Sequence, residues 1–124
     1  MQEVLTSTKS NNVRLYVVWL PVLRSDDRES AVERTKEFSD SRINYYWDEE
    51  GITGTAWQKS LKIKSFAWDV YLIYEPQAKP LTDQPEQPYF WMHQLRSVES
   101  APFLKKDEFE LKMRQLLRTK EKPQ

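Results

Sequence analysis

The chain has 124 residues, 39% hydrophobic and 31% charged, a length that fits one domain burying roughly two thirds of its unfolded surface. Nineteen basic and nineteen acidic residues cancel, so no net field draws it to nucleic acid or anionic lipid. No stretch approaches the ~20 apolar residues of a membrane span, and the absence of cysteine excludes disulfides, thiolate nucleophiles and Cys-ligated metals.

Residues 1–12 read as a flexible polar lead-in without the apolar run of a secretory signal, and a chain complete as given is expected in the cytoplasm. Val13–Leu20 is a strand whose near-continuous apolar character (Leu15, Tyr16, Val17, Val18) predicts burial on both faces, as in a central parallel strand. Pro21 stops it. A helix follows over about Asp27–Phe38, with acidic residues in its first turn and an inward set of Ala31, Val32, Thr35 and Phe38. Arg42–Trp47, RINYYW, is the second strand, and Asp48 ends it and can cap the next helix. That helix runs from Gly51 or Ile52 to Ile63, carrying Ile52, Ala56, Trp57, Leu61 and Ile63, although two Gly and two Thr weaken it. Trp68–Tyr74 is the third strand.

Four prolines make 75–88 a long, semi-rigid loop, since neither helix nor interior strand accommodates them. Tyr89–Leu95 is a short fourth strand. Asp107 and Glu110 have the spacing of a capping box, opening a helix to about Arg118 with Phe109, Met113, Leu116 and Leu117 on one stripe. Residues 119–124 form a charged tail. A single domain over 13–118 therefore has the order β-α-β-α-β-β-α. Its first two strands should be parallel through a crossover and its last two antiparallel.

This order, with the segments VVWLP, YYWD, AWDVYLIY and FWMHQL, resembles the thioredoxin-like superfamily, in particular an uncharacterised small bacterial family within it. The resemblance covers nearly all of 13–118 and implies an α/β fold: a four-stranded mixed sheet with helices on both faces. In thioredoxins the turn after the first strand reads Trp-Cys-x-x-Cys; here Leu20 and Leu23 stand at the two cysteine positions. The cis-proline that thioredoxins place before the third strand is also missing, Ser65-Phe66-Ala67 standing there instead. Thiol–disulfide exchange of the thioredoxin type is ruled out.

Such a sheet would gather Trp19 and Pro21, Trp47 and Asp48, Trp68 and Asp69, and Trp91 and His93 along one rim, the place where open α/β sheets bind ligands. The first reading is a redox-inactive binding or interaction protein, holding a protein segment or a small molecule on Trp19, Pro21, Trp47, Trp68 and Trp91. The 75–88 loop would form a neighbouring wall. A rival reading is an enzyme or metal-site protein using Asp48, Asp69 and His93 as acid, base or ligands. Against it, each has an ordinary structural role available: a helix cap, a backbone or indole acceptor, a packed or exposed imidazole. A third reading makes the edge strand 89–95 a homodimer interface. No hydrolase elbow, phosphate-cradling Gly loop or His-Glu-x-x-His pair is present, and no cofactor is expected.

Overall fold

A computed structural model describes residues 2–8, 10, 12–20, 28–36, 40–79, 82, 84–95 and 98–121. In chain order these form α1 (Gln2–Ser7), β1 (Leu15–Trp19), α2 (Arg28–Thr35), β2 (Ile43–Trp47), α3 (Ile52–Leu61), β3 (Val70–Ile73), β4 (Phe90–His93) and α4 (Lys106–Glu121). The chain is a mixed α/β domain. No helix among the described residues is long and apolar enough to cross a membrane.

The strands make two sheets rather than one. β1 and β2 run parallel, in register from Leu15–Ile43 to Trp19–Trp47, and β3 and β4 run antiparallel, from Val70–His93 to Ile73–Phe90. Both directions agree with the crossover argument, but β1 does not pair with β3, so the expected four-stranded sheet is corrected to two separate pairs. Each pair completes its burial with its own helices. α2 packs on β2 and buries Ala31, while the hairpin lies between helices on both faces. On one face Tyr71, Ile73, Phe90 and Met92 pack with Val4 of α1 and with Phe109, Met113 and Leu116 of α4. On the other, Val70, Leu72 and Trp91 pack with Trp57 and Leu61 of α3 and with Ala67. Residues alternate along β3 and β4, so one hairpin of two four-residue strands supplies both cores.

Residues 2–7, expected to be flexible, are helical instead. A six-residue helix has too few internal hydrogen bonds to persist alone. Here Val4 and Leu5 are buried, and two arginines hold the carbonyls at its end. Arg42 donates to the carbonyls of Leu5, Thr8 and Ser10, and Arg114 to that of Ser7. Because Arg42 immediately precedes β2 and Arg114 lies on α4, α1 ties the parallel pair to the hairpin layer. β1 is likewise not buried on both faces: Tyr16 is exposed and stacks on Tyr46, which is also exposed.

α4 begins at Lys106, one residue before Asp107, and it continues through Glu121, past the expected boundary. The capping-box assignment is therefore corrected: Glu110 turns outward to accept from the Ser7 hydroxyl and from Arg114. Residues 122–124 of the expected tail lie outside the described residues.

Candidate functional site

Trp19 and Trp47 end the two parallel strands as register partners, and the backbone N–H of Asp48 closes the ladder onto the Trp19 carbonyl at 2.9 Å. Both side chains are partly buried. Their indole N–H groups are out of solvent and have no hydrogen-bond acceptor among the described residues. The Arg34 guanidinium of α2 lies 6.0 Å from the Trp19 ring centroid, within cation–π range. Pro21 and Leu23 fall outside the described residues.

Asp48 sits one step beyond. Its Oδ2 accepts from the Thr53 backbone N–H at 2.7 Å and from the Thr53 hydroxyl at 2.6 Å, which fixes the first turn of α3. Burial raises its pKa, yet these donors outweigh that effect and hold the carboxyl below its ordinary value. Gly51, between Asp48 and the helix, adopts φ 72°, a left-handed conformation open to glycine at little cost. Asp48 is thus an ionised carboxylate engaged with the helix start.

Trp68, Asp69 and His93 lie at the open end of the hairpin, but the alternation of the strands divides them. His93 is the register partner of Val70 and shares its face. Asp69 is on the opposite face, where its Oδ1 accepts from the Tyr71 hydroxyl at 2.9 Å; that hydroxyl also lies 3.0 Å from Gln94 Oε1. Burial, and then the Asp69 carboxylate, push the Tyr71 phenol well above its ordinary pKa, so Tyr71 stays protonated as the donor. Trp68 is 46% exposed.

His93 is 2% exposed, and both ring nitrogens are engaged. Nδ1 accepts from the Leu95 N–H at 3.0 Å, and Nε2 lies 2.9 Å from the Ala101 carbonyl. Those two partners require the neutral tautomer with the proton on Nε2. Trp91 and Phe103 pack against the ring at 5.7 and 5.9 Å between centroids.

The expected single rim is consequently split. Trp19, Trp47 and Asp48 cluster at the end of the parallel pair, and Trp68, Asp69 and His93 at one end of the hairpin, with no strand pairing between them. Trp91 belongs to the α3-facing core. No three His, Cys, Asp or Glu among the described residues are grouped to hold a metal ion. The 75–88 connection leaves the end of β3 and enters the start of β4, both at the opposite end of the hairpin from Trp68. The 89–95 edge is also partly occupied. Leu104 N–H donates to the His93 carbonyl at 2.7 Å, and His93 N–H to the Pro102 carbonyl at 3.3 Å.

Sequence reasoning missed Arg42, which has five hydrogen bonds to backbone carbonyls and to Asp40. The Asp-x-Arg spacing at the mouth of a strand was the available signal. Against known proteins, no family model, no curated relative and no solved structure matches this chain.

Proposed function

We propose that the chain is a redox-inactive, thioredoxin-like binding or interaction protein whose contact site is the Trp19–Trp47 end of the parallel pair. The observation that carries this reading is the pair of indole N–H donors, out of solvent and without an acceptor among the described residues. Buried donors of this kind nearly always have partners. A ligand supplying two oxygen acceptors, such as a carboxylate or the carbonyls of an extended segment, would complete both. The place also suits ligand binding, since open α/β sheets receive ligands beyond the carboxyl ends of their parallel strands. Support for the thioredoxin-like relationship is the element order: a parallel βαβ unit, then a helix, an antiparallel hairpin and a terminal helix. Leu20 and Leu23 leave no thiol for exchange.

The test is a titration of ¹⁵N-labelled protein, with the Trp19 and Trp47 indole signals assigned through single Phe substitutions. The probes are acetate, benzoate and short N-acetylated peptide amides. Both signals should move together and saturate, while the Trp57 indole, already bonded to Tyr74, stays still. Stationary Trp19 and Trp47 signals with every probe would overturn the site assignment. Turnover of a peptide disulfide by pure protein would overturn its redox-inactive character.

A further inference from the structure

At the far end of the hairpin, the two described ends of the Pro-rich connection meet. There Tyr74, Glu75, Gln77, Glu86, Pro88 and Tyr89 line a concavity of about 150 Å³. One wall is fixed from the core. The Tyr74 hydroxyl accepts from the buried Trp57 indole at 2.9 Å and donates to the Glu86 carbonyl at 2.7 Å. The glutamates are also positioned by the loop. Glu75 Oε2 accepts from the Gln77 side-chain amide at 2.6 Å, and Glu86 Oε1 from the Lys79 backbone N–H at 3.3 Å. Both donors are neutral, so they orient the carboxylates without cancelling their charge. Among the described residues neither glutamate forms an ion pair.

We propose that this concavity is a binding site for an alkylammonium group. Two oriented carboxylates, each with a further oxygen available, attract a cation and exclude an anion. Tyr74 and Tyr89 also line the concavity, and a cation against an aromatic ring face is stabilised by the ring quadrupole. The Tyr89 side chain keeps about half its surface exposed in the free protein and is available for that contact. A divalent metal fits poorly: it needs a cage of oxygen ligands, and no group of three acidic or metal-binding side chains forms among the described residues. The volume accommodates an ammonium head with a short alkyl stem and is small for a nucleotide or a sugar chain. Glu86 already acts on its surroundings: its charge contributes to the upward shift of the Tyr74 pKa, behind the larger effect of burial. The ammonium can come from a free amine or from a lysine side chain of another protein.

The experiment follows the ring signals of Tyr74 and Tyr89 by NMR in the full chain. The probes are n-butylammonium, tetramethylammonium, neutral n-butanol and blocked lysine (N-acetyl-lysine N-methylamide). Both ammonium ions should give saturable shifts that weaken with added salt, and n-butanol should give none. The double variant E75Q/E86Q should bind at least about tenfold more weakly, and Y89L about threefold more weakly, the loss of one exposed cation–π contact. Blocked lysine binding more tightly than n-butylammonium identifies a protein side chain as the ligand, and equal binding identifies a free amine. An equal response to n-butanol overturns the proposal, as does unchanged affinity in E75Q/E86Q with its amide spectrum intact. The Trp19 and Trp47 indole signals report separately, so this site and the sheet-end site can fail independently.

Discussion

Arg42 divides its guanidinium between Asp40 and the carbonyls at the end of α1, so one side chain ties the N-terminal helix to the entrance of β2. Asp40 orients it: Oδ2 receives Nη2 at 2.8 Å, and Oδ1 receives both Nε and the backbone N–H of Arg42. These bonds, the side-chain pairing first, lower the Asp40 pKa from 3.8 to about 2. A carboxylate with a depressed folded-state pKa adds stability above its unfolded pKa and loses it as pH falls toward the folded value. Asp40→Asn should therefore melt at a lower temperature than the wild type at pH 6. The difference should shrink between about pH 4 and pH 2. Thermal unfolding of both proteins across that range checks this, and a constant gap would remove Asp40 as its source. The Asp-x-Arg spacing signals the pairing with Asp40, but the carbonyl partners of Arg42 were not legible from residue types, because they lie more than thirty positions away in the chain. His93 was conspicuous as the lone histidine, yet its doubly engaged state depends on the Leu95 N–H and the Ala101 carbonyl reaching its two nitrogens.

At the scale of elements, apolar spacing, strand-forming composition and helix-start signals placed each described strand and helix after residue 12 to within a few residues, although Val32, expected on the inward side of α2, is exposed. α1 escaped because its described apolar pair, Val4 and Leu5, makes no periodic pattern and its stability is tertiary. Weak helix formers also obscured α3, where Gly54 looks like a defect. In the structure it is a close-approach point. A Cβ at Gly54 would overlap the Phe66 ring, and the Gly54 carbonyl accepts the Ala67 N–H at 3.3 Å. Gly→Ala within a helix ordinarily stabilises by about 1 kcal/mol. Here overpacking, at about 1–3 kcal/mol, should exceed that gain, so Gly54→Ala lowers the denaturant midpoint. Adding Phe66→Leu should recover part of the loss by making room for the new methyl. A stabilised single variant in urea unfolding would show that Phe66 does not pack against this helix face.

Strand direction was readable from connectivity, whereas strand adjacency was not: a crossover or a hairpin constrains its own two strands and says nothing about the neighbour across a sheet. That gap divides the molecule. Odd-numbered residues of β1 bond to β2, as Leu15 N–H does to the Arg42 carbonyl and the Trp19 carbonyl to Asp48 N–H. The backbone groups of Tyr16 and Val18 therefore face away from the pair. On β3 the register directs Tyr71 to β4 and leaves Val70 and Leu72 facing outward. These two outward edges would meet in a four-stranded thioredoxin-like sheet, and they do not pair here. Amide exchange distinguishes the arrangements. With two separate sheets, the amides of Tyr16, Val18, Val70 and Leu72 should exchange faster than those of Val17, Trp19, Tyr71 and Met92, which point into the ladders. Equal protection, accompanied by cross-strand contacts between Val18 and the β3 edge, would instead join the edges into one sheet. It would also bring the Trp19–Trp47 end and the Trp68–Asp69 end onto a common rim, extending the proposed contact surface across the molecule.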